Sequence, residues 1–164
     1  MRMLRFFPML LGIVFSFPVQ AADVLNVKLM TLDIARDIAN HTLESCRKLG
    51  YQTAVVVVDR AGDPQVVLRD VYVSRHATEI AARKASAVIL SGVSSGEFRK
   101  NRADIHAELN EIPGVLLLQG GLPIRAGGSL IGAVGVSGAP GGEKDEACAA
   151  AGIKAVQERL DFAE

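Results

Sequence analysis

Apolar residues first become periodic just after Thr31. In "LDIARDIANHTLESCRKLG" apolar or small side chains fall at Ala35, Ile38, Ala39, Thr42, Cys46 and Leu49, the spacing of one helical face. Thr31 suits an N-cap, and Gly50 suits a left-handed stop at the other end. The period then changes. "TAVVVVD" (53–59) is continuous and β-branched, which predicts a strand buried on both faces. "DRAGD" reads as a turn, and "PQVVLRD" (64–70) returns as the second arm of a hairpin. Ser74 can cap an alanine-rich helix, "RHATEIAARKASAVILSG", ending near Gly92. "VSSGEFRKNRADIHAELNEIPG" is polar and predicts a short helix among loops. "VLLLQG" (115–120), "LPIRA" and "SLIGAVGVSG" predict three more strands, the last two joined by Gly127-Gly128, a two-residue turn that tolerates positive φ. "EKDEACAAAGIKAVQERL" predicts a closing helix with acids in its first turn, where they suit the helix dipole.

The order is therefore helix, two strands, helix, short helix, three strands, helix. Tight hairpins at both ends predict an α+β domain with a mainly antiparallel sheet and helices on its faces. Ten glycines lie between Gly120 and Gly152. Two of them, Gly132 and Gly135, fall inside a predicted strand, where glycine is normally unfavourable. They mark a close approach by a helix, another backbone or a ligand. A phosphate cradle does not fit, because no Gly-Lys-Ser/Thr follows and "GAVGVSG" lies within a strand rather than before a helix.

The start of the chain follows different rules. "MRMLRFFPMLLGIVFSFPVQAAD" has a basic beginning (Arg2, Arg5), an apolar stretch from Phe6 to Phe17, and small residues before a cleavage point after Ala21. This pattern is that of a secretory signal peptide over residues 1–21, followed by one domain over residues 22–164. The apolar stretch is below the roughly 20 residues needed to span a bilayer. Export places the mature protein in the periplasm or outside the cell, with no membrane attachment. Cleavage leaves 16 basic against 18 acidic residues and no long basic run, so a nucleic-acid partner is not expected. Export also places Cys46 and Cys148 in an oxidising compartment. They would pair if their two helices touch, or else remain buried free thiols; the spacing decides neither. With no Cys-x-x-Cys-His, covalent haem attachment is excluded.

Catalytic signals are absent. No serine sits in Gly-x-Ser-x-Gly, and no catalytic residue stands out. His41, His76 and His106 lie far apart and lack zinc-site spacing. Two Glu-x-x-Glu pairs, Glu108/Glu111 and Glu143/Glu146, would each put two carboxylates on one helical face, able to hold a cation or simply to be solvated. One histidine alone can ligate the iron of a haem held in an apolar pocket. His76 opens the second helix beside Arg75, with Arg83 and Lys84 following, and those cations suit haem propionates. The competing reading of His76 is an exposed helix start.

One long segment carries a resemblance. "EIPGVLLLQGGLPIRAGGSLIGAVGVSGAPGGEKDEACAAAG" is similar to the haem-binding GlcG/HbpS family, whose domain also ends PduO-type proteins. "VVVVDRAGDPQVVLRD" resembles the family's Asp-x-x-Gly hairpin, and "ATEIAARKASAV" its Ala-Lys-Ala helix, with Ala82, Lys84 and Ala85 in place. The similarity runs from about residue 29 to 160. It implies a profilin-like domain with a five-stranded antiparallel sheet, assembled into homo-oligomers from dimers to octamers. It also implies non-covalent haem b, in haem or iron sensing or handling. A threonine ligand expected just after the Ala-Lys-Ala motif is replaced here by Ala87, which leaves His41 or His76 as axial ligand. A second reading is a haem-free accessory module of a catabolic pathway. It would hold a small organic acid near Arg125, Gly132, Gly135 and Ser137, the last opening the "SGAPGG" loop.

Overall fold

The computed structural model describes residues 25–162, so the signal peptide expected over residues 1–21 lies outside the described residues. Helix α1 spans Leu32–Lys48; the Thr31 hydroxyl accepts the Ile34 amide at 3.4 Å, as an N-cap should. Strands β1 (Ala54–Asp59) and β2 (Pro64–Arg69) form the first hairpin. Helix α2 (Arg75–Ser91) starts under a Ser74 cap and stops at Gly92, whose φ of 73° is left-handed. Two short helices follow, α3 (Ser95–Asn101) and α4 (His106–Asn110). Strands β3 (Gly121–Ala126) and β4 (Ser129–Ser137) turn at Gly127 and Gly128, with φ of 54° and 81°. Helices α5 (Gly142–Lys154) and α6 (Gln157–Asp161) close the fold.

The sheet is antiparallel, in the order β2-β1-β4-β3. It has four strands among the described residues, and the expected fifth is a correction. Val115–Gly120 is extended but pairs with no strand. Its backbone groups are met elsewhere. The Leu116 amide donates to the Arg83 carbonyl at 3.2 Å, and the Leu117 amide to Asn110 Oδ1 at 2.8 Å. The Leu118 carbonyl accepts from Ser95 Oγ at 2.7 Å. Val115 and Leu117 are buried with Ala87 on the outer side of α2. An apolar run next to a helix can bury itself there without joining a ladder, and periodicity alone cannot tell the two apart.

Alternation along β1 divides the core. Val55 and Val57 face α1 and α5, together with Val134, Val136 and Ile124. Val56 and Val58 face α2, together with Ala133. On the first face the Cys46–Cys148 disulfide ties α1 to α5 with 5.3 Å between their Cα atoms. On the second face α2 lies almost directly on the sheet. Gly121 and Gly135 are cross-strand partners. A Cβ on Gly135 would overlap the Ala81 carbonyl oxygen, and one on Gly121 would stand 2.6 Å from the Lys84 carbonyl oxygen. The helix backbone therefore occupies the close approach that Gly135 announces, whereas Gly132 meets the neighbouring strand and Met30.

Candidate functional site

The most exposed apolar side chains beside a histidine come from the turn between β2 and α2. Asp70, the first residue after β2, is buried. Its Oδ1 accepts from Arg47 Nε at 2.9 Å and Nη2 at 2.5 Å, and its Oδ2 accepts the Thr53 amide at 3.2 Å. The Asp70 amide donates to the Thr53 carbonyl and the Val73 amide to the Asp70 carbonyl, each at 3.1 Å. Arg69 donates to the carbonyls of Asp70 and Val73. The end of α1, the start of β1 and the end of β2 thus meet on one carboxylate. The hydrogen bond to Asp70, then its charge, raises the pKa of the Arg47 guanidinium above its ordinary value.

This fixed turn buries Val73 against Ala54 and Ala77 and presents Val71 and Tyr72 to solvent, 78% and 86% exposed. Ser74 Oγ accepts the His76 amide at 3.3 Å, which starts α2 and leaves Arg75 and His76 exposed in its first turn. Six consecutive residues therefore expose two large apolar side chains, a guanidinium and an imidazole. Val71 and Tyr72 are thus two adjacent large apolar side chains left in water.

The other histidines differ. His41 is exposed on α1, its Nδ1 3.9 Å from Glu44 Oε2, with no large exposed apolar residue among its chain neighbours. His106 is half-buried, its Nε2 3.4 Å from both the Leu117 carbonyl and Asn110 Nδ2, so it braces the segment after α4.

Of the cations expected to meet propionates, only Arg75 lies on the exposed turn. Lys84 is buried on the inner side of α2. Its Nζ donates to Asp145 Oδ2 at 2.7 Å and to the Val136 carbonyl at 2.8 Å. Burial raises the Asp145 carboxyl pKa above its ordinary value; Lys84 and the Ala139 amide pull it down without winning. Arg83 is half-buried and donates to the Val115 carbonyl at 3.0 Å.

The residues expected to hold a small acid are also engaged. Arg125 donates to the Gly92 carbonyl at 2.6 Å and the Gly128 carbonyl at 3.1 Å. Ser137 is buried at the end of β4. The space over Gly135 is filled by α2, and a Cβ on Gly132 would meet the Val58 carbonyl and, at 2.8 Å, Met30 Cε. Among the described residues no three His, Cys, Asp or Glu side chains gather as a metal site. Glu108, Glu111 and Glu143 are exposed, while Glu146 accepts from Gln119 Nε2 at 2.5 Å. A groove of about 500 Å³ lies elsewhere, lined by Met30, Ile34, Ile131 and Leu160 among others, with no histidine.

A family model described as "Haem degrading protein HbpS-like" matches residues 30–154. The chain belongs to the HbpS-like family. Among solved structures, this HbpS-like chain is similar to a double mutant of Streptomyces reticuli HbpS at 31% identity. That likeness covers 88% of this chain and 99% of the other, with a TM-score of 0.77. The Klebsiella pneumoniae protein ORFY shares the fold at 22% identity, covering 84% and 97%, with a TM-score of 0.77. A PduOC:heme complex shares it at 23% identity, covering 78% and 95%, with a TM-score of 0.69. No curated protein matches the HbpS-like chain. The glycine-rich segment after residue 114 and the Ala-Lys-Ala helix, where the sequence resemblance was read, fall largely within the matched span.

Sequence reasoning missed Val71, Tyr72 and Asp70. Val71 and Tyr72 follow Arg69 and Asp70 at the end of a strand, and nothing in their own identity says that they face out. The signal for Asp70 was weak too: it is one of several aspartates after strands, and its partner Arg47 lies 23 residues away.

Proposed function

We propose that this HbpS-like chain is an exported protein that binds haem b non-covalently at the Val71–Tyr72–His76 surface. It would act as a homo-oligomer in which a second copy covers the other face of the ring. One observation carries the reading: a turn fixed by a buried carboxylate leaves Val71 and Tyr72 in solvent, Tyr72 four residues of chain before an exposed imidazole at His76. The residues suit the group. A porphyrin needs flat apolar area, which Val71 and the Tyr72 ring offer, and an imidazole for its iron, which His76 offers. Arg75 can pair with a propionate. Bound haem would supply a redox-active iron; the chain's own residues would bind it, orient it and exclude water. The relative solved as a heme complex supports haem as the ligand. The Cys46–Cys148 bridge supports an oxidising compartment. Arg83 and Lys84, both engaged inside the fold, have no part in this site.

Haemin titration of the purified protein tests the reading. It should give a saturable Soret band, shifted in His76→Ala and unchanged in His41→Ala, and native mass should show more than one copy. A Soret band lost in His41→Ala alone would move the site to α1. No saturable band would remove the haem reading.

A further inference from the structure

The same turn shows what holds the proposed haem surface in place. Val71 and Tyr72 are held through the backbone, where the Tyr72 amide donates to Gln52 Oε1 at 3.4 Å, so their outward position depends on the chain beneath them. That backbone converges on Asp70. One carboxylate oxygen takes both bonds from Arg47, and the other takes the Thr53 amide. Arg47 has its own anchor. It follows Cys46 in the last turn of α1, and Cys46 is bonded to Cys148 of α5. A covalent tie between two helices thus fixes the residue that clamps the turn. The clamp is also unusual in its exposure: Asp70 is buried, whereas the Arg47 side chain is more than half exposed. Its loss would leave a buried carboxylate without its charged partner, which costs stability as well as turn geometry, and a control variant is needed to separate the two.

We infer that Asp70 and Arg47 form the positioning pair of the haem surface, holding Val71, Tyr72 and His76 in their binding arrangement from a helix end fixed by the Cys46–Cys148 bridge. The inference rests on the haem reading above. Neither residue is a ligand. Loosening the clamp lets the turn sample other conformations, and apparent affinity falls by the fraction of molecules still in the competent one.

Haemin titration of the full chain with Arg47→Gln and Asp70→Asn is the test, with Arg47→Lys as the conservative variant and Ser95→Ala as a control. Ser95 braces the Leu118 carbonyl and the Gly121 amide, away from the turn, and its loss should lower stability without touching the site. A competent fraction near a tenth predicts about tenfold weaker haemin binding in Arg47→Gln. The Soret maximum of its complex should broaden or shift as the imidazole is less well held, with partial recovery in Arg47→Lys. Hydrogen exchange should show the Thr53 and Val73 amides losing protection in Arg47→Gln, independently of haem. Wild-type protein that binds no haemin defeats the haem reading and this inference with it. Wild-type protein that binds haemin, with Arg47→Gln and Asp70→Asn matching it in affinity and spectrum, overturns the inference alone. So does an equal loss in Ser95→Ala.

Discussion

The two ends of α2's environment are built on opposite terms. Along its length the helix rests on the sheet so closely that Gly135 and Gly121 leave no room for a Cβ, and the contact is made of alanines, valines and backbone. At its N-terminal end the preceding turn leaves two of the larger apolar side chains in the fold facing water. The first region is tolerant of nothing and offers nothing to a ligand. The second contributes little to the core and is free to bind. Apolar character alone does not separate them, and the backbone's hydrogen-bond partners do.

The sharpest way to break the first region is Gly135→Val. Its Cβ would coincide with the Ala81 carbonyl, so α2 would have to lift from the sheet. The expected loss exceeds about 4 kcal/mol, the range reserved for severe steric or cavity defects. That is a large share of the roughly 5–15 kcal/mol of an ordinary domain, so the variant should melt far below the parent, or not cooperatively at all, by circular dichroism. A variant melting within a few degrees of the parent would mean that the helix does not rest on this glycine.

Lys84→Met comes next, because it strands a buried carboxylate. Removing one member of a buried pair costs about 3–5 kcal/mol at neutral pH. The effect should depend on pH. Asp145 already has its pKa raised above 3.8, chiefly by burial, with Lys84 opposing the rise. Without Lys84 it rises further. The folded chain then keeps a proton that the unfolded chain has released, so stability falls as pH climbs from 3.8 through the raised folded value. Denaturation near about pH 4 should therefore show a smaller gap between variant and parent than at neutrality. An equal gap at both would show that Asp145 is not the group left unpaired.

The opposite face of the sheet is held by a bond rather than by close approach. Cys46 and Cys148 are both buried, and 102 residues separate them. Replacing both by alanine should cost about 2–5 kcal/mol, mainly by releasing the unfolded chain. Chemical denaturation of the double variant against the parent measures it, and an unchanged midpoint would deny the bridge a stabilising role. Haemin titration of the same variant reports whether the α1 end still clamps Asp70.

Much of this architecture is legible in the chain. The caps at Thr31 and Ser74, the Gly127-Gly128 turn and the valines of β1 each follow a local rule, and each stands where that rule puts it. Gly135 also announced a close neighbour, though not whether it was protein or ligand. Lys84 shows what was hidden. In sequence it is one cation among three on a helix, suited to a propionate, and only the fold brings Asp145 to it from 61 residues away. Val115–Gly120 failed for a related reason: whether an extended apolar run joins a sheet depends on who takes its amides, and here a helix carbonyl and an asparagine do. The exposed turn was half legible, because Arg75 and His76 sit in one short motif whereas Arg47, which reaches Asp70 from the end of α1, lies 23 residues away.

The smallest effect on stability should accompany the largest effect on function. Tyr72→Ser removes an aromatic ring that is almost wholly in water, so it leaves no cavity and breaks no side-chain hydrogen bond shown in the structure. Surface changes of this kind fall within about 0.5 kcal/mol. If the ring is one wall of a haem site or of a contact between copies, its loss should weaken haemin binding, reduce the native mass, or both, in a protein that melts with the parent. A parallel drop in melting temperature would place Tyr72 in the core after all. An unchanged melt, mass and haemin affinity would leave Val71 and Tyr72 as idle surface, and the contrast between the two ends of α2 would then carry no functional meaning.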